Sequence, residues 1–161
     1  MVNMMSIKIN WDKIKLYAGT ILVPLILGAL VGLITSRFMD YAELKQPPLA
    51  PPSILFPIAW SLLYLLMGIS YAILKDNGLQ EGSATMLYYA QLIVNLLWPI
   101  AFFVLKWRLF AFIWILLLDA LVIAMALCFY RRKKAAGLLQ IPYAAWVLFA
   151  SYLNLGIVIL N

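Results

Sequence analysis

Apolar residues in this chain come in five long runs, separated by short stretches of polar and charged residues. The runs cover about residues 17–36, 54–74, 84–105, 109–130 and 136–160. Each is close to the roughly 20 residues that an α-helix needs to cross the ~30 Å hydrocarbon core of a bilayer. The runs are continuously apolar rather than alternating, which argues against a β-barrel. Helices also satisfy their own backbone hydrogen bonds inside lipid. The pattern predicts an all-α integral membrane bundle of five transmembrane helices, forming one domain over 1–161.

The polar punctuation sets the connections. Lys8, Lys13 and Lys15 precede the first run, which reads as a signal anchor rather than a cleaved signal peptide. Arg37 to Pro52 is the longest polar connection and holds Asp40, Tyr41, Glu43 and Lys45. Lys75 to Ser83 reads as a solvated turn centred on Asn77-Gly78. Lys106-Trp107-Arg108 closes the third run with an aromatic anchor at headgroup depth, and the short link after it makes runs three and four antiparallel neighbours. Arg131-Arg132-Lys133-Lys134 stops the fourth run. With an N-terminus in the cytoplasm, that side collects Lys8, Lys13, Lys15, Lys75 and the Arg131–Lys134 cluster, and the other has only Arg37, Lys45, Lys106 and Arg108. The asymmetry predicts N-in and C-out. Gly28 and Gly32 form a G-x-x-x-G spacing that suits close helix approach, within the chain or between two chains.

Polar and aromatic residues inside the runs carry the candidate chemistry, since each is costly unless it faces protein or water. The stretch from Pro47 to Tyr71 passes from a proline-stiffened loop into a helix with Trp60, Tyr64, Met67 and Tyr71 on one face. Gln91, Asn95, Trp98 and Phe102 share a face of run three, and Tyr143, Trp146, Ala150 and Asn154 share one of run five. Asp119 is the one acid deep in a run. Three such stripes either glue helices together or wall a pocket for a flat, mainly apolar ligand. Asp119 either accepts a structural hydrogen bond from a Tyr, Asn or Trp of a neighbouring helix or couples to protons. Pro142 is expected to kink run five or free a carbonyl near residue 138.

Composition narrows the chemistry. The chain is 66% hydrophobic and 11% charged, too apolar for a water-soluble fold of 161 residues. Cys128 is the single cysteine and there is no histidine, which excludes an intrachain disulfide, thiolate clusters, His-metal sites and His-based triads. No nucleophile–base pair or phosphate loop is present, so the balance is against an enzyme, and no cofactor is required. The net charge of +6 is spread over run ends, which fits a lipid bilayer and not nucleic acid.

Three segments together carry a resemblance: LKQPPLAPPSILFPIAWSLLYLLMG, QLIVNLLWPIAFF and LLQIPYAAWVLFASYLN. In this order and spacing the chain resembles the tryptophan-rich sensory proteins, also called translocator proteins or peripheral-type benzodiazepine receptors (the TspO/MBR family). The resemblance spans nearly the whole chain. It implies five helices around a cavity open toward the first loop, often in a homodimer, in a protein that binds porphyrins such as protoporphyrin and haem, sterols or benzodiazepine-like ligands. By the same resemblance Tyr41, Trp60, Asn95, Trp98, Asp119, Trp146 and Ala150 stand where the family lines its cavity. Trp60 and Trp146 match the residues associated with light- and oxygen-dependent porphyrin breakdown. Asp40, Leu49 and Ile54 replace frequent family tryptophans, and no Lys or Arg follows Asn154, so the C-terminal sterol motif is incomplete. The expected function is a porphyrin-binding membrane receptor or sensor acting in tetrapyrrole metabolism or stress response, and the incomplete motif argues against sterol binding. The alternatives are a tetrapyrrole or sterol-like transporter, or a porphyrin-degrading protein. The lack of a targeting segment points to a bacterial cell membrane.

Overall fold

The computed structural model describes residues 10–161; Lys8, part of the expected basic N-terminal flank, lies outside them. Among the described residues there are α-helices, one 3₁₀ turn and one π-helical segment, and five helical stretches are long and apolar enough to cross a membrane. They are α1 (Trp11–Ser36), α2 (Leu55–Asp76), α3 (Ser83–Pro99) with its π-helical continuation Ile100–Val104, α4 (Arg108–Arg132), and the pair α5 (Lys134–Leu138) and α6 (Ile141–Leu160). In length and composition they are the spans of an integral membrane protein.

The helices close into a ring. α1 packs on α2, α2 on α5 and α6, α6 on α4, α4 on α3, and α3 back on α1. Each inner face follows from the spacing of its buried residues. Ala111, Ile115, Leu118, Val122, Met125 and Phe129 of α4 recur at alternating intervals of four and three, and so do Tyr143, Val147, Ala150, Asn154 and Ile157 of α6. That is the seam of helices crossing at a shallow angle. α1 buries little: Leu22, Val23, Ile26, Leu30, Leu33 and Ile34 are exposed on its outer side, where the bilayer is its solvent.

Prolines mark where the helices depart from regularity. Pro24 cannot donate to the Thr20 carbonyl, and it is at Thr20 and Ile21 that Gly68 of α2 makes its closest approach; a Cβ on Gly68 would lie 2.5 Å from Ile21 Cα. Pro99 removes the next donor of α3, and the following turn widens into the π-helical segment. Pro142 sits in the first turn of α6, where no intrahelical donor is needed, and the break it imposes falls at Leu139–Gln140. The expected interruption near residue 138 is therefore a full break and restart.

Span ends differ from the sequence expectation mainly at α1. It starts at Trp11 rather than near Tyr17, because the Asn10 side chain caps it by accepting from the Lys13 amide at 3.1 Å. Asp12, Lys13 and Lys15 thus ride on the helix, and Lys13 reaches Asp76 of α2 at 2.7 Å. The turn at Asn77-Gly78 forms as expected, with Gly78 at φ 67.

Candidate functional site

Five of the expected residues meet around one cavity between α2, α3, α4 and α6. Trp60, Asn95, Trp98, Trp146 and Ala150 line it, together with Phe56, Ile115 and Leu118. Its volume is about 30 Å³, close to the ~30 Å³ that one water occupies in the liquid. The resemblance implied a ligand-sized cavity; here the rings themselves occupy most of that space. Trp60 stands 5.6 Å from Tyr64 and 6.2 Å from Tyr143, centroid to centroid, and Phe56 meets Trp146 edge-on at 6.1 Å.

Beneath this aromatic layer lies a layer of buried hydrogen bonds. Tyr64 donates its hydroxyl to Asn95 Oδ1 at 2.6 Å, Asn95 Nδ2 donates to the Tyr143 hydroxyl at 2.8 Å, and Tyr143 donates to Gln91 Oε1 at 2.7 Å. Gln91 in turn donates to the Tyr88 carbonyl at 3.0 Å. One chain of donors and acceptors thus ties α2, α3 and α6 together, each group satisfied where no water reaches. Tyr64 and Tyr143 do not line the cavity. They hold Asn95, which does.

Two other expected residues serve Trp98 from behind. Trp98 Nε1 donates to the Ala111 carbonyl at 3.0 Å and lies 3.3 Å from Asn154 Oδ1, while Asn154 Nδ2 donates to the Arg108 carbonyl at 3.0 Å. Phe102, on the π-helical segment, stacks on the Trp98 ring at 4.9 Å. Both are buried and neither faces the cavity. Asp119 is also off the cavity wall. Its Oδ2 accepts from the Ser151 hydroxyl at 2.6 Å, so its partner on the neighbouring helix is a serine and not the expected Tyr, Asn or Trp. Asp119 Oδ1 and Trp146 Nε1 are buried without a hydrogen-bond partner among the described residues.

The loop between α1 and α2 closes the near end of the ring. Tyr41, in the 3₁₀ turn Tyr41–Glu43, sets its ring edge-on against Phe56 at 5.1 Å and so reaches the cavity wall through one intermediary. Burial pushes the Tyr41 phenol above its ordinary range, so it stays neutral. Asp40 next to it binds Arg108 at 2.6 Å and Lys106 at 3.2 Å. Partial burial works against the charge on Asp40. The hydrogen bond to Lys106 and the charges of Arg108 and Lys106 outweigh it and hold the carboxyl below its ordinary value. Farther along, the backbone of Lys45 exchanges two hydrogen bonds of 3.0 Å with the Asn161 side chain, and Tyr152 donates to the Pro48 carbonyl at 2.8 Å. Gly156 makes room for Pro47, which a Cβ would approach to 2.5 Å.

A model of the TspO/MBR family matches residues 20–160. The chain belongs to the TspO/MBR family. It is 39% identical to the tryptophan-rich protein TspO of Archaeoglobus fulgidus over 151 residues, 92% of this chain and 97% of that one. The translocator protein homolog of Schizosaccharomyces pombe is 35% identical, with 97% and 94% covered. The tryptophan-rich sensory protein of Cereibacter sphaeroides is 35% identical, with 75% and 76% covered. In this TspO-type membrane protein, then, the aromatic cavity, the polar layer under it and the latched loop above it form one unit.

Sequence reasoning missed Phe56, Ile115 and Leu118 in the wall, and Asp40 with Arg108 in the latch. Phe56 stands four residues before Trp60, so extending the stripe back one turn would have found it. Ile115 and Leu118 gave no signal beyond belonging to an apolar face.

Proposed function

We propose that this TspO-type protein is a membrane receptor or sensor that takes a porphyrin-class ligand between its helices. The observation that carries the reading is the convergence of Trp60, Trp98 and Trp146 on one cavity beside Asn95. Flat aromatic walls suit a flat conjugated guest, and an amide together with the unpartnered Trp146 indole N–H offers donors for its polar edge. At about 30 Å³ the cavity is the closed form, and a tetrapyrrole enters only when the Trp60 and Trp146 rings part. The name of the Cereibacter relative, a sensory protein, favours sensing. The basic flanks favour a cytoplasmic N-terminus, and the setting proposed is a bacterial cell membrane.

Tryptophan fluorescence titrated with protoporphyrin in neutral micelles tests this. Saturable quenching is expected, weakened at least about tenfold in apparent affinity when Trp60 and Trp146 are both changed to Phe, equivalent to ~1.4 kcal/mol. Absent saturation, or an affinity indifferent to both substitutions, overturns the reading. A transport reading draws on one further observation, the unpartnered Oδ1 of Asp119 in the middle of α4. Proteoliposome uptake driven by a proton gradient, and lost in Asp119→Asn, would favour it over sensing.

A further inference from the structure

A second space lies away from the aromatic cavity, a groove of about 450 Å³ at the opposite end of the ring, where the start of α3 meets the end of α4. Its apolar wall is Leu87, Ala124 and Leu127, and its polar mouth is Ser83, Arg131 and Arg132. Residues 124 and 131 are seven apart on α4, so the groove runs about 10 Å along the helix at 1.5 Å per residue. The exposed Leu116, Leu117, Ile123 and Leu127 show that this side of α4 looks outward into the acyl chains.

The charge at the mouth is fixed and uncompensated. Arg132 donates Nη1 to the carbonyls of Leu79 at 2.7 Å and Glu81 at 2.8 Å, and Nη2 to the Ser83 hydroxyl at 3.0 Å. Those acceptors are neutral, and Glu81 contributes its backbone rather than its carboxylate. The guanidinium is therefore held in place with its full charge. Among the described residues Arg131 makes no ion pair or hydrogen bond, and the three salt bridges lie elsewhere.

We propose that this groove binds one anionic phospholipid, its phosphate against Arg131 and Arg132 and an acyl chain along Leu87, Ala124 and Leu127. The argument is charge complementarity joined to depth. Guanidinium groups match phosphate oxygens, and the apolar wall begins directly below them on the lipid-facing side. A free phosphate would leave that wall unused. A second copy seated by two-fold symmetry on this patch would bring Arg131 toward its own mate, like charge against like. The proposal is independent of the porphyrin reading, since the groove shares no residue with the aromatic cavity.

Native mass spectrometry of the full-length protein, released from neutral micelles containing phosphatidylglycerol and phosphatidylcholine of identical chains, tests it. One phosphatidylglycerol per chain is expected, retained at about tenfold lower concentration than phosphatidylcholine. A basic residue near an anionic surface contributes roughly fivefold, so Arg131→Gln should cut the preference by about that factor. Ala124→Phe should remove the retained lipid by filling the wall. Lys134→Gln takes the same charge from outside the groove and should leave the preference intact. Arg131 and Lys134 are exposed, so these two variants report on binding even if Ala124→Phe perturbs folding. Four results would overturn the proposal: equal retention of both lipids, a loss in Lys134→Gln matching that in Arg131→Gln, displacement of the lipid by millimolar inorganic phosphate, or preference appearing only in a dimeric species.

Discussion

Changing Asp40 to Asn should loosen the loop over the aromatic cavity without disturbing the ring of helices. The substitution keeps the shape and removes the charge that Arg108 meets at 2.6 Å and Lys106 at 3.2 Å. Lys106 is more than half exposed, so its share is screened by solvent; Asp40 and Arg108 are 15% and 21% exposed, and their contact carries most of the effect. A hydrogen bond between charged groups contributes roughly 1.5–3 kcal/mol, and an exposed pair well under 1, so about 1–2 kcal/mol is reasonable for this half-buried case. If loop opening carries that energy, the hydrogen-bonded loop amides of Glu43, Lys45 and Ala50 should exchange about 5–30-fold faster in the variant. Amides of α4 and α6 below the loop should be unchanged. The pH dependence has a definite sign. Asp40 titrates lower in the folded protein than in the unfolded chain, so its contribution is complete above the ordinary carboxyl value of about 4 and fades as pH falls through the lowered one. Exchange in the wild type, corrected for its chemical rate, should be flat from neutrality to pH 5 and rise only in stronger acid. Unchanged loop exchange in Asp40→Asn, or an equal acceleration of every helix, would refute the latch.

Two further substitutions probe the layers below. Tyr143→Phe orphans Asn95 Nδ2 and Gln91 Oε1 and should cost about 1–3 kcal/mol, read by reversible unfolding in mixed micelles, with Tyr64→Phe costing less because it strands only Asn95 Oδ1; equal, negligible losses would mean the network is idle. Gly28→Ala places a methyl group on the Tyr64 ring and should destabilise by about 1–3 kcal/mol, whereas Gly32→Ala meets nothing within 4 Å and should be silent in the monomer, so matching effects in the two would show that the contact is misassigned.

How much of this was legible beforehand depends on the range of the interaction. Inner faces were readable because burial repeats every three or four residues along a single helix: Tyr64, Met67 and Tyr71 were placed together by spacing alone, and all three are buried. The spans themselves were readable because the solvent demands apolar length. What spacing could not reveal was which member of a stripe faces a void and which faces a neighbour. Trp98 and Asn154 lie on the inner surfaces of different helices, yet only their pairing across 56 positions shows that the first lines the cavity while the second braces it. Asp40 illustrates the same limit. In the sequence it reads only as the absence of a tryptophan, and its ion pair with a residue 68 positions away gives it a positive role. The start of α1 is hidden in the sequence for a different reason: Lys13 and Lys15 read as a flank, but charged side chains at a helix end can extend toward the interface while the backbone stays helical.

The layers differ in what it would take to move them, and that difference determines how the cavity can open. The Tyr64–Asn95–Tyr143–Gln91 chain is sealed from water, so displacing any one of these side chains strands polar groups with no substitute partner. The loop contacts, Asp40 with Arg108 and Lys106, Lys45 with Asn161 and Tyr152 with Pro48, lie at the membrane surface, where water can replace each partner as it leaves. Opening from the loop end therefore costs far less than opening through the polar layer. The ring contacts follow the same gradient, since Tyr41 leans on Phe56 and Phe56 on Trp146, and a lifted loop withdraws the support on one side of the wall. Trp60, tilted against Tyr64 and edge-on to Tyr143, stays anchored to the floor. If the proposed guest enters by parting Trp60 and Trp146, Trp146 is thus the ring expected to swing, and it is also the one whose indole N–H lacks a partner among the described residues.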